Sequence, residues 1–150
     1  MADVSVELLR RNDPADRAAV AGPLVAFNRA AVPSEPREPL AILLRDGSGA
    51  VTGGLWGRFT HDWLFVELIV VPAALRGSGL GRRLMALAED AARGENCVGL
   101  RLDTFEFQAP GFYDKLGFTP FGVLLDHPRG RSRIFPQKRL DRGAARQAAG

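Results

Sequence analysis

Residues 63–71 read WLFVELIVV, an aromatic, aliphatic and β-branched run interrupted by a single carboxylate. It is far shorter than the ~20 residues of a membrane span, and its composition favours a strand over a helix. A strand this continuously apolar needs cover on both faces, so it predicts the centre of a sheet. The next stretch constrains the fold further. LRGSGLGRRLM, residues 75–85, sets Gly77, Gly79 and Gly81 at alternate positions ahead of a helical repeat. Leu80, Leu84, Leu87, Ala88 and Ala91 recur at the spacing of an amphipathic helix, which Gly94 is expected to end.

The remaining elements fall around this unit. Val4–Leu9 alternates as a first strand. Asn12-Asp13-Pro14 is a helix start, and the helix should reach Ala31, with Gly22-Pro23 interrupting or kinking it. Residues 32–39 are proline-rich and irregular. Leu40–Arg45 and Ala50–Thr60 form strands across the turn Asp46-Gly47-Ser48-Gly49, and Gly53-Gly54 marks a bulge or a close backbone approach. A tight turn at His61-Asp62 leads into the central strand. Val98–Phe105 is another strand, and Gly111–Leu116 a short helix stopped by Gly117. Phe118–Leu125 and Ser132–Leu140 form a last antiparallel pair. One strand–helix–strand crossover among hairpins implies a parallel pair inside a largely antiparallel sheet, a mixed α/β (α+β) domain. Residues 1–140 are read as that single domain, and 141–150 as a disordered tail.

The glycines sit where a helix start leaves backbone N–H groups without partners. Glycine there permits positive φ and close approach, and the helix dipole favours an anion, so the loop predicts a phosphate site. Arg82 and Arg83 sharpen this. Cations in a first helical turn oppose the dipole by roughly 0.3–1 kcal/mol each, a sign that a bound anion reverses. The loop lacks the Gly-Lys-Ser/Thr of a Walker A loop and the third glycine of Gly-x-Gly-x-x-Gly. A glycine-rich turn without a ligand is the competing reading of the loop taken alone.

The 150 residues carry 20 Lys+Arg against 17 Asp+Glu, a net charge of +3. That excess suits an anionic ligand and argues against a nucleic-acid partner. Cys97 is the only cysteine, so no internal disulfide or cysteine metal cluster forms; it reads as a small buried hydrophobe. His61 and His127 have no metal-ligand spacing, and no metal site is expected. With no signal peptide and no membrane-length apolar run, the expected location is cytoplasmic.

Two separate stretches together resemble the GNAT superfamily of acyl-CoA-dependent N-acetyltransferases. Ile69-Val70-Val71-Pro72 followed by Arg76-Gly77-Ser78-Gly79-Leu80-Gly81 resembles the family's pyrophosphate signature, Arg/Gln-x-x-Gly-x-Gly/Ala, after its strand. Ala109-Pro110-Gly111-Phe112-Tyr113-Asp114-Lys115-Leu116-Gly117-Phe118 resembles its A-x-x-F-Y-x-K-x-G-F element. The resemblance spans roughly residues 3–140. It implies a mostly antiparallel sheet of six to seven strands with helices on both faces. Its central parallel pair, strands 63–71 and 98–105, would splay for CoA. It also implies acetyl-CoA as acyl donor, a primary amine on a small molecule or peptide as acceptor, and a homodimer through the C-terminal strands.

The resemblance assigns the backbone of Ile69, Val70 and Val71 to the pantetheine. Arg76, Gly77, Ser78, Gly79, Leu80, Gly81 and Arg82 would hold the pyrophosphate, with Arg82 or Arg83 on the remaining phosphate. Tyr113 would protonate the departing thiolate; the competing reading is a packed ring with a satisfied hydroxyl. Glu67 is the first choice of base, because a lone charge in an apolar strand is desolvated towards proton uptake. On strict alternation it shares a face with Phe65, Ile69 and Val71. Its alternative is a carboxylate paired with Arg58 or another strand arginine. Asp103 and Glu106 are the rivals. Glu106 stands where many family members have a cofactor-holding asparagine, and Gln108 is the nearest amide. Trp56, Arg58 and Glu106 are the expected acceptor-side residues, although aromatic groups flanking a strand also serve as packing. Direct attack in a ternary complex is the expected reaction, and a non-catalytic acyl-CoA-binding or regulatory module is the alternative.

Overall fold

The structure is a computed structural model that describes residues 3–141. The described residues divide into two compact units, one ending at Pro36 and the other beginning at Arg37.

In the first unit, α1 spans Pro14–Ala31. Asp13 caps it by accepting from the Ala15 N–H at 2.9 Å, and Pro14 occupies the first turn, where no N–H is needed. Pro23 lies inside α1 and does not end it. Its ring removes one helical bond, and long segments on both sides propagate the helix past that loss. Val4–Leu9 is not a strand. Alternation decides which side chains share a face, but a strand exists only where a neighbour completes its ladder.

The second unit is built on a seven-stranded sheet. Its elements are β1 (Leu40–Arg45), β2 (Val51–Thr60), β3 (Trp63–Val70), a 3₁₀ turn (Ala73–Leu75), α2 (Leu80–Gly94), β4 (Gly99–Arg101), β5 (Thr104–Phe105), α3 (Pro110–Lys115), β6 (Thr119–Leu125) and β7 (Ser132–Arg139). Strands run in the order β1-β2-β3-β4-β7-β5, and β6 also pairs with β7. Every pair is antiparallel except β3–β4. The core packs Leu55, Leu64, Val66 and Leu100 of the sheet against Leu84, Met85, Ala88 and Ala92 of α2. The buried stripe of α2 is therefore rotated from the expected one, and Leu87 is exposed.

Glycines fit the hairpins for steric reasons. A Cβ on Gly53 would lie 2.5 Å from the Val70 carbonyl oxygen, and one on Gly54 would lie 2.2 Å from that of Ile42. The paired glycines let β1, β2 and β3 approach where the register shifts between Leu44 and Arg45. At the end of α2 the left-handed residue is Asn96, not Gly94. Asn96 has φ 57°, the Asn96 N–H donates to Arg93, and the Cys97 N–H donates to Ala92.

The expected strand 98–105 is two strands, β4 and β5, both on the same edge of β7. The break has a local cause. The Leu102 N–H donates to the Pro136 carbonyl at 3.1 Å, but proline has no N–H to return to that edge.

Candidate active site

Parallel pairing of β3 with β4 covers only Trp63–Phe65 against Gly99–Arg101. Beyond Phe65, β3 continues without that neighbour, while the strand opposite it breaks at Leu102–Asp103. Between them lies a cleft of about 910 Å³. Val66–Val71 form one wall, Leu102–Thr104 the other, and the glycine loop and α3 close its ends.

A register irregularity sets how β3 presents its side chains. Trp56 pairs with Leu68 and Gly57 with Val66, leaving Glu67 as an extra, bulged residue. The bulge reverses alternation. Leu64 and Val66 point into the core before it, and Ile69 and Val71 pack on the core after it. Phe65 and Ile69 thus lie on opposite faces, contrary to strict alternation. Glu67 lines the cleft with a third of its side chain accessible (33%), and the Arg58 Nε lies 2.9 Å from its Oε1 as an ion pair. It is an ion-paired carboxylate at a bulge, not the lone desolvated charge that the strand's composition implied.

The loop and α2 meet the steric terms of the sequence reading. Gly77 has φ 78° and Gly79 has φ 84°, and a Cβ on either would meet open space. Gly79 is the N-cap of α2 and brings no capping side chain. The first N–H to close a helical bond is that of Arg83, onto Gly79, so those of Leu80, Gly81 and Arg82 are left for a ligand. Ser78 does not line the cleft; its hydroxyl donates back to the Leu75 carbonyl and stiffens the turn. Gly81 serves a different purpose from the other two glycines. A Cβ there would lie 3.2 Å from the Phe112 ring, so its absence lets α3 press against the start of α2.

That contact positions Tyr113. Phe112 meets the Tyr113 ring edge-on at 5.2 Å, and Phe118 does so from the other side at 6.0 Å. Gly117, at φ 88°, turns the chain, so that the Phe118 N–H closes onto the Tyr113 carbonyl. Tyr113 is buried yet lines the cleft, and burial pushes its phenol above the ordinary range.

Asp103 also lines the cleft and accepts from the Arg133 Nε at 2.8 Å. Glu106 lies outside the lining and pairs with Arg131 at 3.1 Å. Gln108 lines the cleft, and its Oε1 accepts from the Thr104 hydroxyl and the Phe105 N–H. Trp56 and Arg58 are not in the lining; Arg58 reaches the cleft only through Glu67. Leu75, Leu102, Thr104 and Phe107 complete the walls, and no sequence motif singled them out. Cys97 is buried away from the cleft, where burial raises its thiol above the ordinary value. Among the described residues, no group of three or more His, Cys, Asp or Glu is placed to hold a metal ion.

Residues 9–118 match the acetyltransferase (GNAT) family. The chain belongs to that family. Among GNAT proteins it is 38% identical over 122 residues to acetyltransferase Atu2258 of Agrobacterium fabrum, covering 81% of this chain and 89% of the relative. It is 42% identical over 98 residues to blasticidin-S acetyltransferase of Streptomyces morookaense, covering 65% of this chain and 72% of that one. A crystal structure of a candidate acetyltransferase from Agrobacterium tumefaciens superposes with a TM-score of 0.85 at 36% identity. It covers 91% of this chain and 99% of that one. This GNAT protein is thus an acetyltransferase, and acetyl-CoA is the family's acyl donor. No helix among the described residues is long and apolar enough to cross a membrane.

Proposed function

We propose that this chain transfers the acetyl group of acetyl-CoA to a primary amine by direct attack within a ternary complex. One observation carries the reading: the glycine loop, Glu67, Asp103 and Tyr113 line a single cleft, opened where the β3–β4 ladder stops. The cleft fits the donor. It offers an unpaired strand edge for an extended amide-bearing arm and an uncapped helix start for a pyrophosphate. Ile69, Val70 and Val71 would hold the arm through their backbone. Arg76, the N–H groups of residues 77–82 and the Arg82 guanidinium would hold the phosphates.

Bound there, acetyl-CoA supplies a thioester whose C–S bond is exchanged for a C–N bond to the acceptor. Glu67 takes the proton that the amine nitrogen loses, directly or through water, with Asp103 as the rival carboxylate. The Tyr113 hydroxyl gives its proton to the departing sulfur. Burial raises that phenol above its ordinary value, which favours the protonated form the acid role needs. Arg58 holds Glu67 and keeps the bulged carboxylate aimed.

Saturating acetyl-CoA is expected to raise the melting temperature, since ligand at ~100 times Kd adds about 2.7 kcal/mol. Over a panel of primary amines, Tyr113→Phe should lower kcat on the order of a hundredfold while leaving acetyl-CoA stabilisation intact. No stabilisation by acetyl-CoA, or full activity in Tyr113→Phe, would overturn the assignment.

A further inference from the structure

We propose that the acceptor carries an anionic group, a carboxylate or a phosphate, a few bonds from its amine, and that Arg101 recognises it. The inference rests on the acyl-transfer reading of the cleft and deepens it.

Glu67 and Asp103 line the cleft from opposite walls, and the guanidinium groups around them are balanced differently. On the β5–β7 side, Asp103 pairs with Arg133 and Glu106 with Arg131, two of each. Arg133 also lies over Phe105 and within hydrogen-bond distance of the His127 ring, and Arg131 lies over Phe107, so both guanidinium groups are already engaged. On the β3–β4 side the sum differs. Glu67 pairs with Arg58, whose guanidinium carbon lies 5.4 Å from the centre of the Phe65 ring. That of Arg101 lies 4.2 Å from the same ring centre. Two guanidinium groups therefore share one ring, and only Arg58 has a carboxylate partner.

Among the described residues the Arg101 guanidinium makes no ion pair or hydrogen bond; Arg101 is half-buried and precedes Leu102 of the cleft lining without being part of it. The Phe65 ring holds the guanidinium by a cation–π contact while its N–H groups have no protein partner, which suits bidentate binding of a planar anion. Phe65 and Arg101 are register partners at the last rung of the β3–β4 ladder, directly before the cleft opens. Glu67 follows Phe65 by two positions, roughly 7 Å along the strand. Arg58 connects the two, ion-paired to Glu67 and over the same Phe65 ring as Arg101, so an amine facing Glu67 and an anion held by Arg101 belong to one small acceptor.

The test compares matched acceptor pairs: 4-aminobutyrate with 4-aminobutanamide, O-phosphoethanolamine with ethanolamine, and glucosamine 6-phosphate with glucosamine. Release of CoA thiol gives kcat/KM, and calorimetry on the CoA-saturated protein gives binding of the same compounds. In the native protein at least one anionic member should exceed its neutral partner on the order of tenfold or more. The carboxylate and phosphate arms tell the two anions apart. Arg101→Gln should bring that pair near parity without changing the KM for acetyl-CoA, and Arg101→Lys should retain part of the preference. Neutral members equal to or better than anionic ones in every pair would overturn the proposal, as would equal losses for both members in Arg101→Gln. Binding of the anionic member with no thiol release from any amine would uphold the Arg101 site and overturn the acyl-transfer reading instead.

Discussion

At one end of β3, Trp63–Phe65 are laddered to Gly99–Arg101, and β4 is in turn laddered to β7. At the other end, Val66–Val71 face Leu102–Thr104 across a cleft. Both ends use glycine, but for opposite reasons. Gly99 sits where backbone and ring crowd together: a Cβ would lie 2.5 Å from the Lys138 carbonyl oxygen and 2.7 Å from the Trp63 ring. Gly77 sits in open space and is glycine for its φ of 78°. The closed end fixes the strands so that the open end has a defined width. Contact at one end and space at the other come from the same pair of strands.

The sharpest way to break this division is to add one methyl group at each end. Gly99→Ala must displace both the β7 backbone and an indole ring. The expected loss is on the order of 3 kcal/mol, read as a fall in the urea midpoint and in acetyl-CoA affinity together. Gly77→Ala should cost only about 1–2 kcal/mol, the price of a left-handed alanine. Its expected signature is weaker acetyl-CoA binding with a cooperative, slightly earlier melt. Equal destabilisation by the two substitutions would refute the idea that only one end is sterically closed.

How much of this was legible in the sequence differs between the ends for a physical reason. Elements that carry their own punctuation were readable: α1 begins at its Asp13-Pro14 cap, and β1 and β2 flank an Asp-Gly-Ser-Gly turn. The positive φ of Gly77 and Gly79 followed from their place before a helix. The bulge at Glu67 did not, because WLFVELIVV is apolar at nearly every position and so hides a phase reversal. Only the register against β2 reveals it. The break between β4 and β5 depends on Pro136, more than thirty residues downstream, so no local pattern at 98–105 could show it. Gly81 belonged by spacing to the anion loop, but its steric partner is Phe112 of the second motif. The two motifs that were read separately are in contact.

The smallest effect tests the closed end by charge instead of by volume. Glu89 of α2 accepts from the Lys138 Nζ at 2.7 Å and from the Arg93 Nη2 at 2.9 Å, strapping helix to sheet behind the ladder. Burial works against its charged form, but hydrogen bonds and charge from Lys138 and Arg93 outweigh it. The carboxyl is held below its ordinary value of 4.5. A depressed carboxyl pKa contributes stability that is fully present above the unfolded-state value and lost as pH falls through the folded-state value. Glu89→Gln should therefore melt earlier than the native protein by an amount worth about 1 kcal/mol, constant from neutral pH down to roughly pH 5.5. Below pH 4.5 the gap should close as the native carboxyl takes up its proton. Glu89 stands apart from the cleft lining, so acetyl-CoA should stabilise the variant and the native protein by equal increments at pH 7. A gap that widened in acid would mean that the strap does not hold through the charge of Glu89. Unequal increments from acetyl-CoA would mean that the closed end senses the open one.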